Sequence, residues 1–135
     1  MNWKFVIKTG HIYDPLGNKV WTGYAGGNEG KNPEGVNNPL MVSVAKVGPL
    51  CPGFYTMESP LPTSHLGPFA IPLTPDATNV MFGRRGFYCH GDRTQPPPRS
   101  ASEGCIIAAR AVRDQMWGKA FNGQVVHRIQ VVAEE

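Results

Sequence analysis

Hydrophobic and polar residues alternate along this chain in short runs that end at glycine or proline. Runs with this alternation cover residues 3–8, 11–13, 18–24, 54–58, 69–73, 86–90 and 124–132, and residues 40–47 form a further candidate. Short alternating runs bounded by turn residues predict β-strands. Pro72 has no N–H to offer a neighbouring strand, so residues 69–73 are predicted at a sheet edge. Residues 86–90 are more apolar, and we expect them to form a central strand.

One segment has the period of a helix instead. Ser100 and Glu103 match the S-x-x-E spacing of a capping box, which predicts a helix beginning near residue 102. An apolar stripe then follows through Ala108, Val112 and Met116, and glycine ends it at Gly118. Many short strands with one short helix predict a mainly β fold, a sandwich or a barrel.

The chain has 135 residues, the size of one domain, and we expect residues 1–135 to form a single domain. It contains 16 glycines and 13 prolines, so much of it must be turns and loops. Two loops stand out: residues 25–39, rich in glycine and asparagine, and residues 94–99, which include three consecutive prolines. Long loops in small domains are usually functional, so both are candidates for shaping a site.

Charge and hydropathy exclude several classes of protein. The 13 basic and 10 acidic residues leave a net charge of +3, and the basic residues are scattered rather than clustered, which argues against nucleic-acid binding. No apolar run approaches the length of a membrane span, so we expect no membrane insertion. Residues 1–4 lack the features of a signal peptide. We therefore expect a protein made in the cytoplasm and not exported by the general secretory route.

The best candidates for reactive residues are His90, at the end of a predicted strand, and Cys105, directly after Gly104. With three cysteines in the chain, at least one cannot pair internally. One interpretation is structural: a buried thiol and a hydrogen-bonded histidine. A second is a zinc site with Cys89, but neighbours on a strand point to opposite faces, and no fourth ligand is evident.

The third interpretation is a nucleophile and its general base. A thiol attacks carbonyl carbon only as a thiolate, and His90 is a candidate to accept its proton. If Cys105 lies near a helix start, the free N–H groups and the dipole favour the thiolate. The same N–H groups are candidates to hold an oxyanion, and Gly104 would let a substrate approach the backbone closely. Asp92 is either part of this site or a turn residue.

The stretch His90-Gly91-Asp92 followed by Ser102-Glu103-Gly104-Cys105-Ile106 resembles the H-G…S-x-G-C signature of L,D-transpeptidases of the YkuD type. Glycine, proline and arginine landmarks elsewhere resemble a compact subfamily, the L,D-transpeptidase-like effectors delivered by type VI secretion. They include residues 23–26, 37–39, 48–55, 67–68 and 84–87. The similarity covers most of the chain.

The resemblance implies a YkuD-like β-sandwich or barrel whose short helix follows the nucleophile. It implies that Cys105 attacks peptidoglycan stem peptides, with His90 as base, Ser102 within the site, and N–H groups of Gly104 and Cys105 as oxyanion donors. The thioester would pass to water, to a free D-amino acid or to another stem. No cofactor and no metal are implied. The non-catalytic alternative is a wall-binding module of the same fold.

The chain departs from the wider family on both sides of the cysteine. Glu103 stands where a basic residue or histidine is frequent, and Ile107 stands where arginine is frequent. The substrate carboxylate therefore needs another partner, and the candidates are Arg84, Arg85 and Arg110. Asp92 and Tyr24 are candidates to line the cleft.

The effector resemblance also implies a destination and partners. It implies secretion into a target bacterium and action in its periplasm. It further implies a cognate immunity protein in the producing cell and an adaptor of the secretion apparatus.

Overall fold

Eleven short strands and one α-helix make up the fold, in a computed structural model that describes residues 1–135. The elements are β1 (Trp3–Val6), β2 (His11–Tyr13), β3 (Lys19–Thr22), β4 (Tyr24–Ala25), β5 (Gly53–Met57), β6 (Ile71–Pro75), β7 (Phe87–His90), β8 (Ile106–Ile107), α1 (Arg110–Gly118), β9 (Ala120–Phe121), β10 (Gln124–Val125) and β11 (Arg128–Val132).

Nine of the strands form one sheet in the order β3-β2-β1-β11-β5-β6-β7-β8-β4, and β9 and β10 form a separate hairpin. The two edge strands, β3 and β4, are separated only by Gly23, so the sheet curls into a nearly closed barrel. The Gly23 N–H donates to Gly10 O at 2.8 Å, and a Cβ at Gly23 would lie 2.0 Å from Ile107 O. The prediction of a mainly β barrel with one short helix after Cys105 is confirmed.

The core fills the inside of this curled sheet. Alternate positions of the strands point inward, as Tyr55 and Met57 do on β5 and Ile129 and Val131 do on β11. The helix packs against the same core with Val112 and Met116, which confirms part of the apolar stripe. No helix of the structure is long and apolar enough to cross a membrane.

The predicted start of the helix near residue 102 is wrong. Helix α1 begins at Arg110, and Cys105 instead precedes the buried strand β8. The Ser100 hydroxyl of the supposed capping box donates to Pro97 O at 2.5 Å instead, and Gly104 has a φ of +131°, which lies outside the helical region.

Two strand predictions are also wrong. Residues 40–47 form the end of a short 3-10 helix (Pro39–Met41) and turns rather than a strand, and Lys46 there has a φ of +68°. Strand β6 lies inside the sheet, between β5 and β7, although Pro72 predicted an edge. The interior position is tolerated because Pro72 participates through its carbonyl, which accepts the Glu58 N–H at 2.9 Å.

Candidate functional site

Strands β7 and β8 bring His90 and Cys105 to the same cavity. The two strands pair in parallel, with Cys89 opposite Ile106 and His90 opposite Ile107. Cys105 directly precedes β8, so it lies at the level of Tyr88, the residue before Cys89 on β7. Both His90 and Cys105 line a cavity of about 370 Å³. The structure thus brings the predicted nucleophile and the predicted base to one cavity, with His90 at the end of β7 and Cys105 directly before β8.

Cys105 is a buried thiol. Its side chain belongs to the hydrophobic core, and Sγ accepts the Tyr88 N–H at 3.3 Å. Burial raises the pKa of Cys105 to about 11, against a smaller lowering by the Tyr88 hydrogen bond. The expected help from a helix dipole is absent because α1 begins only after β8. At neutral pH the group is therefore a thiol that needs a base.

His90 is in the protonation state that a base requires. Its Nδ1 lies 2.9 Å from Gly91 O, and because a carbonyl only accepts, Nδ1 carries the proton and Nε2 has a free lone pair. Burial lowers the pKa of His90 below its ordinary value, so the neutral imidazole predominates at pH 7. No hydrogen bond joins His90 to Cys105, whose sulfur faces the Tyr88 N–H. Such pairs often tighten only when substrate is bound.

Ser102 organises the turn that carries the thiol. Its hydroxyl donates to Cys105 O at 2.7 Å and accepts the N–H groups of Gly26 at 2.8 Å and Gly104 at 3.0 Å. The side chain is fully buried and lines neither cavity at the site. In this geometry Ser102 positions Cys105 and does not face a substrate.

The two expected oxyanion donors differ in availability. The Gly104 N–H is already bonded to Ser102, so it does not point into the cavity. The Cys105 N–H has no acceptor in another residue. The close approach that Gly104 permits is also not to a substrate: a Cβ there would lie 2.7 Å from Arg84 Nη2 and 2.7 Å from Phe87 Cε1.

Arg84 lines the cavity, but its guanidinium is occupied. Nη1 donates to Val42 O at 2.6 Å and Pro49 O at 2.7 Å, and Nη2 donates to Gly48 O at 3.0 Å and Glu103 O at 3.3 Å. The expectation that Arg84 binds a substrate carboxylate does not fit this arrangement, because its four terminal N–H bonds are directed at backbone carbonyls. Arg84 instead fastens residues 42–49 to the turn before Cys105.

Arg85 and Arg110 remain open to solvent. Arg85 is exposed, lines the cavity of Cys105 and makes no hydrogen bond to the protein. Arg110 pairs with Asp114 at 2.9 Å, lies over the Phe69 ring and lines a second cavity. Of the three predicted arginines, Arg85 is therefore the one that has a free guanidinium beside the thiol.

The second cavity, of about 690 Å³, meets the first at His90. Both cavities are lined by Glu29, His65, Leu66, His90 and Ala101. His90 thus stands at the junction of a groove with two arms, and Cys105 opens to one arm only. Sequence patterns did not single out Glu29 or the buried Arg113 of the second arm, since neither belongs to a motif.

Tyr24 and Asp92 lie beside the groove and bind each other. The Tyr24 hydroxyl donates to Asp92 Oδ1 at 2.7 Å and accepts the Ala101 N–H at 3.0 Å. Both line a separate cavity of about 460 Å³ beside Gly23, where β3 and β4 meet, next to the exposed Trp21. Asp92 also lines the second arm of the groove. This contact fastens the loop before Ser102 to β4, and Tyr24 itself does not line the cavity of Cys105.

Cys89 and Cys51 are separate from the site. Cys89 is fully buried in the core, where burial raises its pKa to about 12. Cys51 is buried below the loop of residues 42–49, with Sγ 3.4 Å from Val42 O. All three cysteines are free thiols. No group of three or more His, Cys, Asp or Glu side chains is arranged to hold a metal ion.

Fold and site together define a small, nearly closed β-barrel with a cysteine and a histidine in one groove. Comparison with family models gives a match to the Tlde1 domain over residues 21–133. The chain therefore belongs to the Tlde1 family, a family of type VI secretion effectors. Comparison with curated proteins and with solved structures gave no match.

Proposed function

We propose that this effector domain is a cysteine enzyme that transfers acyl groups of peptidoglycan stem peptides, with Cys105 as nucleophile and His90 as general base. The observation that supports it best is the shared cavity: the thiol and a neutral imidazole with a free Nε2 lie on adjacent strands and open to the same space. Cys89, a thiol of the same core, does not line that cavity.

The first half of the reaction forms a thioester. His90 Nε2 accepts the Cys105 proton as Sγ attacks the carbonyl carbon of the residue before the terminal D-residue. The oxyanion forms next to the Cys105 N–H, which has no other acceptor. The tetrahedral intermediate then collapses, the C–N bond breaks, and the imidazolium returns its proton to the leaving amine.

The second half transfers the acyl group. Neutral His90 accepts a proton from water or from the amine of an acceptor, which attacks the thioester carbon. The C–S bond breaks and the Cys105 thiol is regenerated with the proton from His90. Water yields a shortened stem (L,D-carboxypeptidase activity), a D-amino acid yields exchange, and a second stem yields a cross-link. Arg85 is the proposed partner of the substrate carboxylate, since its guanidinium is free.

The site of action and the partners follow from the effector family. The proposal places the activity in the periplasm of a target bacterium, where peptidoglycan is accessible. A cognate immunity protein would protect the producing cell, and an adaptor would carry the domain to the secretion apparatus.

Mass spectrometry of purified muropeptides after incubation with the protein tests this function. The wild type is expected to give shortened stems, exchanged D-residues or cross-links, and Cys105→Ala is expected to give none. Cys51→Ala is the matched control, because it removes a buried thiol that is not in the groove. Product from Cys105→Ala would refute the nucleophile. Wall binding without product from the wild type would indicate the non-catalytic module.

A further inference from the structure

Arg113 is a buried cation beside the proposed base. It lies on α1 with only 4% of its surface exposed, yet it has no carboxylate partner. Its donors reach three backbone carbonyls instead: Nη1 to Ala108 O at 2.7 Å, Nε to Phe69 O at 3.2 Å and Nη2 to Pro68 O at 3.3 Å. A buried charge without a counter-ion is costly, so the presence of Arg113 at this position calls for an explanation.

The Arg113 guanidinium contacts several of the segments that surround His90. A Cβ at Gly91 would lie 3.0 Å from Arg113 Nη1, so the guanidinium packs closely against this glycine. Gly91 O is the acceptor of His90 Nδ1, and His90 O accepts the Ala108 N–H at 3.0 Å. Pro68, whose carbonyl accepts from the same guanidinium, lines the second arm of the groove together with His65 and Leu66.

The charge of Arg113 also acts on the imidazole. Burial is the main cause of the lowered pKa of His90, and the nearby positive charge of Arg113 lowers it further. Among the other ionisable groups around His90, Asp92 raises its pKa and His65 lowers it. Further charged or ionisable residues that line its two cavities are Glu29, Lys46, Arg84, Arg85, Glu103 and Cys105 in the first and Arg93 and Arg110 in the second.

We infer that Arg113 is a positioning residue for the proposed reaction. Its guanidinium packs against Gly91, whose carbonyl orients the His90 ring through Nδ1, and bonds Ala108 O, whose own N–H donates to His90 O. Its positive charge adds to burial in favouring the neutral ring, the form that accepts the thiol proton. This inference rests on the proposed function for its kinetic consequences, but its effect on the imidazole does not require turnover.

The decisive measurement is an NMR titration of the His90 imidazole in the Cys105→Ala protein, with His90→Gln used for assignment. Adding Arg113→Met removes the cation, and the titration midpoint is expected to rise by roughly 0.5–1 pH unit. Adding Arg113→Lys keeps a charge there, so the midpoint is expected to stay within about 0.3 unit. Arg110→Met, an exposed arginine of the same helix, is the matched control and should leave the midpoint unchanged.

Kinetic measurements on the enzyme that retains Cys105 distinguish an effect of Arg113 on the orientation of the His90 ring from an effect of its charge on the pKa of that ring. Arg113→Lys loses the planar fork, so kcat is expected to fall roughly tenfold with little change in KM, while the acidic limb of the pH profile stays in place. Arg113→Met should lower kcat and also move that limb to higher pH.

Several results would overturn the inference. One is an unmoved His90 midpoint in a folded Arg113→Met protein, and another is an equal shift with Arg110→Met. If the Met variant does not fold, an unchanged kcat for Arg113→Lys overturns it. If the wild type shows no turnover at all, the proposed function fails, while the titration still decides the effect of Arg113 on His90.

Discussion

The hydroxyl of Ser102 donates a 2.7 Å hydrogen bond to the carbonyl oxygen of Cys105, three residues further along the chain. Ser102 Oγ also accepts the N–H groups of Gly26 and Gly104, so one buried side chain joins the turn that carries Cys105 to the residue that follows β4. The position of the candidate nucleophile therefore depends on a side chain that does not face the groove.

Replacing Ser102 by alanine tests this dependence. Three buried polar groups would lose their partner, so the free energy of unfolding is expected to fall by about 2–4 kcal/mol, and turnover should fall with it. Urea denaturation monitored by circular dichroism measures the change. Ser59→Ala, at an exposed serine that makes no hydrogen bond, is the control and should be neutral. Full stability of Ser102→Ala would contradict the role.

Gly104 is expected to tolerate no side chain. Its φ of +131° and the 2.7 Å approach of Arg84 and Phe87 to a Cβ both oppose alanine, so Gly104→Ala should cost roughly 2–4 kcal/mol. Gly118→Ala is the opposite case, because nothing lies near its Cβ at the end of α1. It should be neutral or stabilise by about 0.5–1 kcal/mol. Thermal unfolding of both variants checks the contrast.

Arg84 and Arg85 are adjacent, but we expect a substitution at Arg84 to lower stability and one at Arg85 to weaken substrate binding. Arg84→Lys keeps the charge and loses the fork that holds four carbonyls, so stability should fall by about 1–3 kcal/mol. Arg85→Gln should leave stability within about 0.5 kcal/mol. If Arg85 binds the substrate carboxylate, KM should rise roughly tenfold, the loss of one charge-assisted hydrogen bond.

Kinetics on muropeptides together with urea denaturation distinguish the two arginines. An Arg84→Lys protein of normal stability with a raised KM would reverse the roles that the structure indicates.

Alkaline pH is expected to destabilise the fold through its buried thiols. Burial raises the pKa of Cys105 to about 11 and of Cys89 to about 12, above the ordinary value of 9.0. A raised folded-state pKa means that the stabilisation is complete below pH 9 and is lost as pH rises from there toward 11. The loss attributable to Cys105 is about 2 kcal/mol at pH 10.5.

Urea denaturation at pH 8 and pH 10.5 measures this loss. The buried tyrosines Tyr24 and Tyr55, whose pKa values are also raised, add to the total, so the comparison is with Cys105→Ala. That variant should lose less stability between the two pH values than the wild type or Ser59→Ala. Equal losses in all three would indicate that Cys105 already ionises as an exposed thiol does.

Much of the barrel was predictable because its signal is local. Alternating apolar residues predict β5 and β11, whose inward positions are indeed buried, and the apolar run ending at His90 predicts a central strand. His90 and Cys105 were identified by residue type and order. The stripe of Val112 and Met116 predicted the inner face of α1.

The errors occur where distant residues decide the local structure. Ser100 and Glu103 suggested a helix cap, but the turn there is held by Gly26, 76 residues from Ser102. Arg84 looked available to a substrate because nothing in its neighbourhood in sequence shows that carbonyls from residues 42–49 surround it. Buried partners with strong hydrogen-bonding groups override local propensity.

The class of the fold and the two candidate reactive residues can be identified from the amino-acid sequence alone, since side-chain alternation and residue chemistry are local properties of the chain. That both side chains open to one cavity, and that Arg84, Ser102 and Arg113 are bonded to backbone groups around it, depends on the tertiary structure. The reason is physical: burial and hydrogen bonding, which set pKa values and orientation, arise only when segments distant in sequence pack together.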